Sequence, residues 1–225
     1  MAAAAVAAAL AVAAVLVKLT PDVYSRTETM GLDDAAAARF NRDVFNGVAN
    51  VLLDKSGGTR LDMELTEAMV NARLARFVDE EVRSGRPVPP AARDLRIGFE
   101  PGALVLATRL GSGATAVVVT QRLALEATAD GRLVVRPDGT RAGGLPLPGV
   151  ALDALVQMAR ALTARDDPAA DDEKSIDLWR AVVEGLDGKP VPLGKGKKRI
   201  VLERLEIERG VLKAQGRRGE KVVGR

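Results

Sequence analysis

The 225-residue sequence contains no cysteine and no histidine. Without cysteine there is no disulfide and no thiolate nucleophile, and cysteine usage says nothing direct about redox compartment. Without histidine there is no imidazole base and no Ser-His-Asp constellation. Zinc sites of the usual Cys/His kind cannot be built. Any catalysis would fall to Asp, Glu, Lys, Ser or the single tyrosine, Tyr24. Aromatic residues make up only 3% of the chain, so its core is expected to consist of Leu, Val, Ala and a few Phe.

What is present is unevenly distributed. The net charge is +3, yet residues 189–225 carry +8 and residues 1–188 carry −5. The basic end is a candidate surface for anionic lipid or nucleic acid, or a solvated tail. Lys195, Lys197 and Lys198 lie there in a glycine-spaced stretch and are the candidate contacts to an anionic surface. The interleaved aromatics of a single-strand binder are missing, and so is a helix-turn-helix pattern. Nucleic acid is therefore not the favoured partner.

Residues 1–17, "MAAAAVAAALAVAAVLV", carry no charged side chain, and Lys18 ends the run. As a helix they would span about 25 Å, against a hydrocarbon core of about 30 Å. The segment is expected to be a membrane anchor. A cleaved signal segment and a buried alanine-rich helix are the alternatives. A signal peptide would need a basic lead and a small-residue cleavage site, and neither is evident. An anchor with its domain outside the cytoplasm would also need basic residues before the helix. A start codon placed a few residues late would account for the missing lead.

Residues 20–32, "TPDVYSRTETMG" and its neighbours, read as a polar linker. A helix follows, capped by Asp33 or Asp34, with Phe40, Val44, Val48 and Leu52 on one face and Ser56-Gly57-Gly58 after it. "TRLDMEL" alternates as a half-buried strand, with Leu61, Met63 and Leu65 inward. Thr66 can cap a second helix with Val70, Leu74, Phe77 and Val78 as its stripe. Three hairpins then follow, turning at Glu100-Pro101-Gly102, Asp130-Gly131 and Arg209-Gly210. Between the second and third lie two more helical patterns, residues 150–164 and "SIDLWRAVVEGL". The expected fold is α+β, a curved antiparallel sheet of hairpins packed on amphipathic helices. Residues 33–218 form one domain, 219–225 a basic tail, and the anchor spans 1–19.

One stretch does not fit a plain strand or loop: "GGLPLPGVALDALVQMARAL", residues 143–162. Pro146 and Pro148 cannot donate ladder hydrogen bonds, so Leu145-Pro146-Leu147 can be at most an edge strand. It reads as a stiff arm that aims the next helix, its leucines on the core. The functional alternative makes Leu145 and Leu147 the rim of an apolar groove, lined further by Leu155, Val117 and Val119.

The order of four pieces resembles the YpmS family of single-pass, membrane-anchored bacterial envelope proteins. These are the N-terminal apolar helix, "LTEAMVNARLARF" with Asn71 inside it, "DGRLVVRPDGTRAGGLPLP", and the amphipathic helix after that phrase. The resemblance covers roughly residues 1–165. It implies an anchored extracytoplasmic domain handling lipid or other hydrophobic material, and it marks Asn71 as structurally special. Read from its position alone, Asn71 is a helical polar residue bonding to a neighbouring loop.

Other motifs carry no chemistry. "GSGATAVVV" and "GKGKKR" miss the phosphate-loop spacing, and Gly111-Ser112-Gly113 is expected as a turn between strands. The acidic pairs Asp33-Asp34, Glu80-Glu81, Asp166-Asp167 and Asp171-Asp172 read as caps and solvated surface. Ser56, Ser84 and Lys174 lack a partner signature. The expectation is a non-enzymatic envelope domain with no metal and no cofactor. It would be held to the membrane by its N-terminal helix and bind a hydrophobic ligand. A filled-core adaptor meeting an envelope protein partner is the alternative.

Overall fold

A computed structural model describes residues 12, 15–28, 30, 33–54, 58–85, 87–88, 90–147, 190–193 and 199–219. The chain is α+β, with helices α1 (Asp22–Glu28), α2 (Asp34–Leu53), α3 (Glu67–Arg83) and the short α4 (Pro90–Arg93). Its strands are β1 (Arg60–Thr66), β2 (Arg96–Glu100), β3 (Ala103–Leu110), β4 (Val117–Ala127), β5 (Leu133–Ala142), β6 (Leu145–Leu147), β7 (Ile200–Glu208) and β8 (Val211–Arg218). The expected single sheet is two: a three-stranded one in order β1-β8-β7 and a five-stranded one in order β2-β3-β4-β5-β6. All described strand pairs are antiparallel. The reason for the split is long-range. The third hairpin closes on β1, far back in the sequence, rather than on the hairpin before it.

Local signals explain most elements. Asp33 caps α2, its Oδ1 accepting from the Ala35 and Ala36 amides at 2.9 and 3.1 Å. Thr66 caps α3 by accepting from the Met69 amide. β1 alternates as its sequence does, with Leu61, Met63 and Leu65 inward. The three hairpins turn where expected. Gly131 shows why that position is glycine: its φ is +72°, and a Cβ would lie 2.2 Å from Val201 Cγ1.

The main core lies between the inner faces of both sheets and helices α2 and α3. Leu61, Met63 and Leu65 meet Phe99, Leu123, Val135, Leu202 and Leu212 there. The α2 stripe Phe40, Val44, Val48 and Leu52 packs against this cluster, as do Val70 and Leu74 of α3. Phe77, expected in the α3 stripe, is instead 43% exposed, because the last turns of α3 run past the core. Ala36, Ala37 and Ala72 form a separate small cluster that lets α2 and α3 approach closely.

Two further expectations are corrected. Residues 20–32 are not simply a polar linker: they contain α1, whose Val23, Tyr24 and Thr27 are buried. The polar periodicity concealed it, because only two large apolar side chains carry the packing. The second strand of the second hairpin, which the sequence "RLVVRP" suggests ends at Pro137, does not stop there. It continues to Ala142 through a bulge, with Asp138 and Gly139 of β5 opposite the single Arg122 of β4 between the pairs Gln121↔Thr140 and Leu123↔Pro137. An extra residue of this kind bends a strand without ending it. The β7–β8 ladder carries a similar irregularity between Leu202 and Arg204.

Among the described residues no helix is long and apolar enough to cross a membrane. Most of residues 1–17, where the anchor is expected, lie outside the described residues. So do the two helical patterns at 150–164 and "SIDLWRAVVEGL", and most of the basic tail.

Candidate functional site

The five-stranded sheet has two faces, and the described candidate residues Val117, Val119, Leu145 and Leu147 share one of them. Val119 pairs with Ala142, and Ala142 pairs with Leu145, so these three share one row and one face. Gln121, Thr140 and Leu147 form the next row. β6 is an edge strand, as its prolines require: Pro146 is exposed, while Leu145 and Leu147 are half-buried. Val117 is half-buried and Val119 is 8% exposed. Leu155, the fifth residue of the expected groove, lies outside the described residues. Gln121 is 1% exposed and accepts a hydrogen bond from the Thr140 hydroxyl while donating to Arg122 O at 2.8 Å. The face therefore holds a satisfied polar pair between apolar rows, a feature the alternation in the sequence did not single out.

Asn71 occupies a more specific position than a helical residue touching a loop. It is 4% exposed on α3 and faces the free edge of β2. Its Nδ2 donates to Ile97 O at 2.6 Å, and its Oδ1 accepts from the Ile97 amide at 2.8 Å. The side chain amide thus exchanges two hydrogen bonds with a strand residue, as a neighbouring strand would. One helical turn earlier, Glu67 Oε1 accepts from the Phe99 amide at 2.6 Å. The i, i+4 spacing places Glu67 and Asn71 on one helix face, and residues 97 and 99 present their outward groups on one strand edge. The edge is sealed by side chains, which removes a template for strand addition.

Glu67 is 2% exposed, and its charge is balanced by Arg26 from α1. The guanidinium donates twice, Nε to Oε2 at 2.9 Å and Nη2 to Oε1 at 2.7 Å. The bonded partner keeps Arg26 protonated, its pKa raised chiefly by that hydrogen bond. Asp22 joins the network by accepting from Arg26 and from Arg209 at the tip of the β7–β8 hairpin. Tyr24, fully buried, donates its hydroxyl to Asp94 Oδ2 at 2.6 Å. Burial first, then that bond and the Asp94 charge, push the phenol pKa up, so the group stays neutral. Arg109 stacks over the ring at 5.0 Å from its centroid. Tyr24, the only phenol available for catalysis, is thus a packed structural group.

The third region is where the N-terminal helix meets the body. Residues 15–18 are helical. The Gly144 amide donates to Leu16 O at 2.7 Å, and a Cβ on Gly143 would lie 2.4 Å from the Leu16 and Val17 carbonyl oxygens. Lys18 Nζ donates to Ala116 O at 3.3 Å. A cleft of about 510 Å³ opens here, lined by residues 17–20, Arg109, Gly111-Ser112-Gly113, Ala116 and Val118. The Gly111-Ser112-Gly113 stretch is the expected connection between two strands, ending in one 3-10 turn at Gly113–Thr115. The pair Gly143-Gly144 was the only sequence signal for this docking. Arg109 gave none, since a charged residue near a strand end is unremarkable.

A second, more open cleft lies between α2 and β1, lined by Arg42, Asp43, Asn46, Gly47 and residues 62–64. Neither cleft includes Leu145, Leu147 or Val119. Among the described residues no group of three or more Asp or Glu side chains is placed to hold a metal ion. Lys195, Lys197 and Lys198 lie outside the described residues. Their flanks are placed: Leu193 bridges to Ile200, and Arg199 donates to Asp130 O at 3.1 Å.

No protein-family model matches this chain, and no curated protein or solved structure matches it either.

Proposed function

We propose that this protein is a membrane-anchored, extracytoplasmic domain of the cell envelope that binds a lipid or other hydrophobic ligand without catalysing a reaction. The observation that supports the reading most is the way the N-terminal segment joins the body. A charge-free run of 17 residues ends in helical residues clasped between the β5–β6 turn and the β3–β4 connection. A loosely tethered leader would not need Gly143 stripped of its Cβ to let the helix backbone in. The apolar row Val119, Ala142, Leu145 and the half-buried Leu147 are the ligand side of the reading, and Asn71 is the residue that fixes the scaffold beneath. The resemblance to the YpmS family, through residues 1–165, points the same way.

A specific observation favours the alternative, an assembly adaptor with a filled core. Val119, Gln121, Thr140 and Ala142 are each 8% exposed or less, so this face is already covered along much of its length. Native mass spectrometry of the detergent-extracted full chain separates the two readings. A lipid-sized mass adduct that disappears in Leu145→Asp/Leu147→Asp supports the ligand reading. A bare chain mass, with the protein still in the membrane fraction, supports the adaptor. Recovery of the full chain in the supernatant of a detergent-free lysate would remove the anchor itself.

A further inference from the structure

The geometry points to a binding site for a phosphate-class anion in the cleft between residues 17–20 and the Gly111–Ala116 connection, with Lys18, Arg109 and Ser112 as the groups that hold it. The site is separate from the apolar row of the proposed ligand face and does not require the anchored reading. Val118 lines the cleft and Val119 does not. Successive strand residues face opposite sides of a sheet, so the cleft opens on the side covered by α1.

Charge in this cleft is of one sign. Its lining carries Lys18 and Arg109 and, among the described residues, no Asp or Glu. The two cations are distant in the sequence and are brought together where residues 15–18 dock on the body. Lys18 Nζ donates to Ala116 O at 3.3 Å, which holds the ammonium at one end of the connection. Arg109, on β3, stands at the other end. One of its N–H groups goes to Glu28 Oε1 at 2.9 Å, and its guanidinium lies over the Tyr24 ring. Those contacts fix the guanidinium and leave its other N–H groups without a partner among the described residues. Glu28 offsets part of the charge, but it does not line the cleft.

Between the cations runs Gly111-Ser112-Gly113. The glycines have φ of +84° and +54°, a region glycine enters without steric cost, so the chain turns there with Ser112 as its only side chain. The Ser112 carbonyl is engaged, accepting from the Thr115 amide and hydroxyl at 3.3 and 2.9 Å. The Ser112 hydroxyl and the Ser112 and Gly113 amides donate to no group among the described residues, and both residues are exposed. The spacing is not that of a phosphate loop. What recommends this turn is the pair of cations that flank it, since backbone amides and a hydroxyl beside Lys and Arg are the donors that phosphates take.

The donors come from three separate places, Lys18, Arg109 and Ser112, and a phosphate presents more oxygens to such a set than a carboxylate does. The rest of the lining includes Val17, Leu19 and Val118. Of the large apolar side chains that stand exposed among the described residues, Leu19 is the one that lines either cleft. A cleft of about 510 Å³ with a cationic part and an apolar part suits a phosphoester with a carbon-rich substituent. Such a group comes from a lipid headgroup or from a soluble phosphate ester. The carbonyl end of helical residues 15–18 reaches the same cleft and disfavours an anion. Leu16 O, however, already accepts from the Leu19 and Gly144 amides at 3.2 and 2.7 Å.

Isothermal titration of the full chain in nonionic detergent, with micelles alone as the blank, tests the site. The probes are inorganic phosphate, dihexanoyl phosphatidate and, at matched ionic strength, acetate. The expected result is saturable binding of both phosphate probes, weakened about tenfold in Lys18→Gln and in Arg109→Gln and about threefold in Ser112→Ala. Lys18→Arg keeps the charge and should bind within about twofold of wild type. Arg136→Gln, which removes an exposed charge outside the cleft, should leave binding unchanged. Arg109 also packs on Tyr24, so its variant is read only at an unchanged melting temperature; Lys18 and Ser112 are exposed and carry the test without it. Phosphatidate bound at least about tenfold more tightly than inorganic phosphate assigns a lipid headgroup, and a smaller difference assigns a soluble phosphate. No saturable binding of either phosphate probe, acetate bound as tightly as phosphate, or an equal loss in Arg136→Gln would overturn the inference. None of these results touches the anchor, which membrane fractionation reads separately.

Discussion

The two faces of the five-stranded sheet are covered by different means. The inner face is filled by volume: Phe99, Leu104, Leu123 and Val135 interdigitate with side chains from the other sheet and two long helices. The outer face is covered by the seven-residue helix α1, which brings only Val23 and Tyr24 to meet Val105, Ala107 and Val118. So small an element cannot bury enough apolar surface to hold itself. It is held by approach and by polar bonds. Gly98 of β2 has no Cβ where Val23 sits, and Arg26, Tyr24 and Glu28 each bond to a different element. A face built on volume tolerates exchange of one leucine for another hydrophobe of similar size. A face built on closeness and a few directional bonds does not.

That contrast can be broken at several points, the largest effect first. Glu67→Ala should remove about 4 kcal/mol, because Arg26 and the Phe99 amide lose a partner in a largely dry site. Urea denaturation of the full chain in detergent would measure it. An effect under about 1 kcal/mol would mean that water reaches the pair. Leu123→Ala, on the inner face, should cost about 3 kcal/mol as a cavity, whereas Leu123→Met should cost under about 1.5. Gly98→Ala should cost about 2 kcal/mol, since the new methyl would fall 2.4 Å from Val23 Cγ1. Adding Val23→Ala should recover part of that loss. Independent, additive losses in the double variant would show that α1 does not press on Gly98.

The smallest effect belongs to Tyr24→Phe, about 1 kcal/mol at neutral pH from the lost bond to Asp94. Its pH dependence has a definite sign. The folded phenol has a pKa raised above its unfolded value of about 10, so its contribution is complete below that value. It is lost as pH rises from there toward the folded value. Wild type should therefore lose stability on alkaline titration faster than the phenylalanine variant. Parallel titration curves would show that the ring is not shielded from ionisation.

The legible parts were those in which a single segment carries its own signal. β1 declares its inward residues by alternation, α2 and α3 declare their starts through Asp33 and Thr66, and each hairpin declares its turn. Helix α1 was not legible, because its burial depends on a glycine some 70 residues away rather than on its own periodicity. Nor was the end of β5, since a bulge lets a strand continue past residues that read as a turn. Asn71 could be singled out, but its partner could not. That an amide side chain completes the edge of β2 follows only from where α3 lies.

The sequence alone determined that histidine and cysteine chemistry is excluded, that a charge-free run precedes the body, and that hairpins and amphipathic helices make an α+β chain. These follow from residue types and from spacing within a segment, which do not depend on what lies across the molecule. Only the tertiary structure decided that there are two sheets, that Glu67 and Asn71 seal a strand edge, and that helical residues 15–18 and the Leu133–Val191 bridge sit at opposite ends of β4. Those facts depend on which distant segments pair, and pairing is settled by the shared burial of all of them at once.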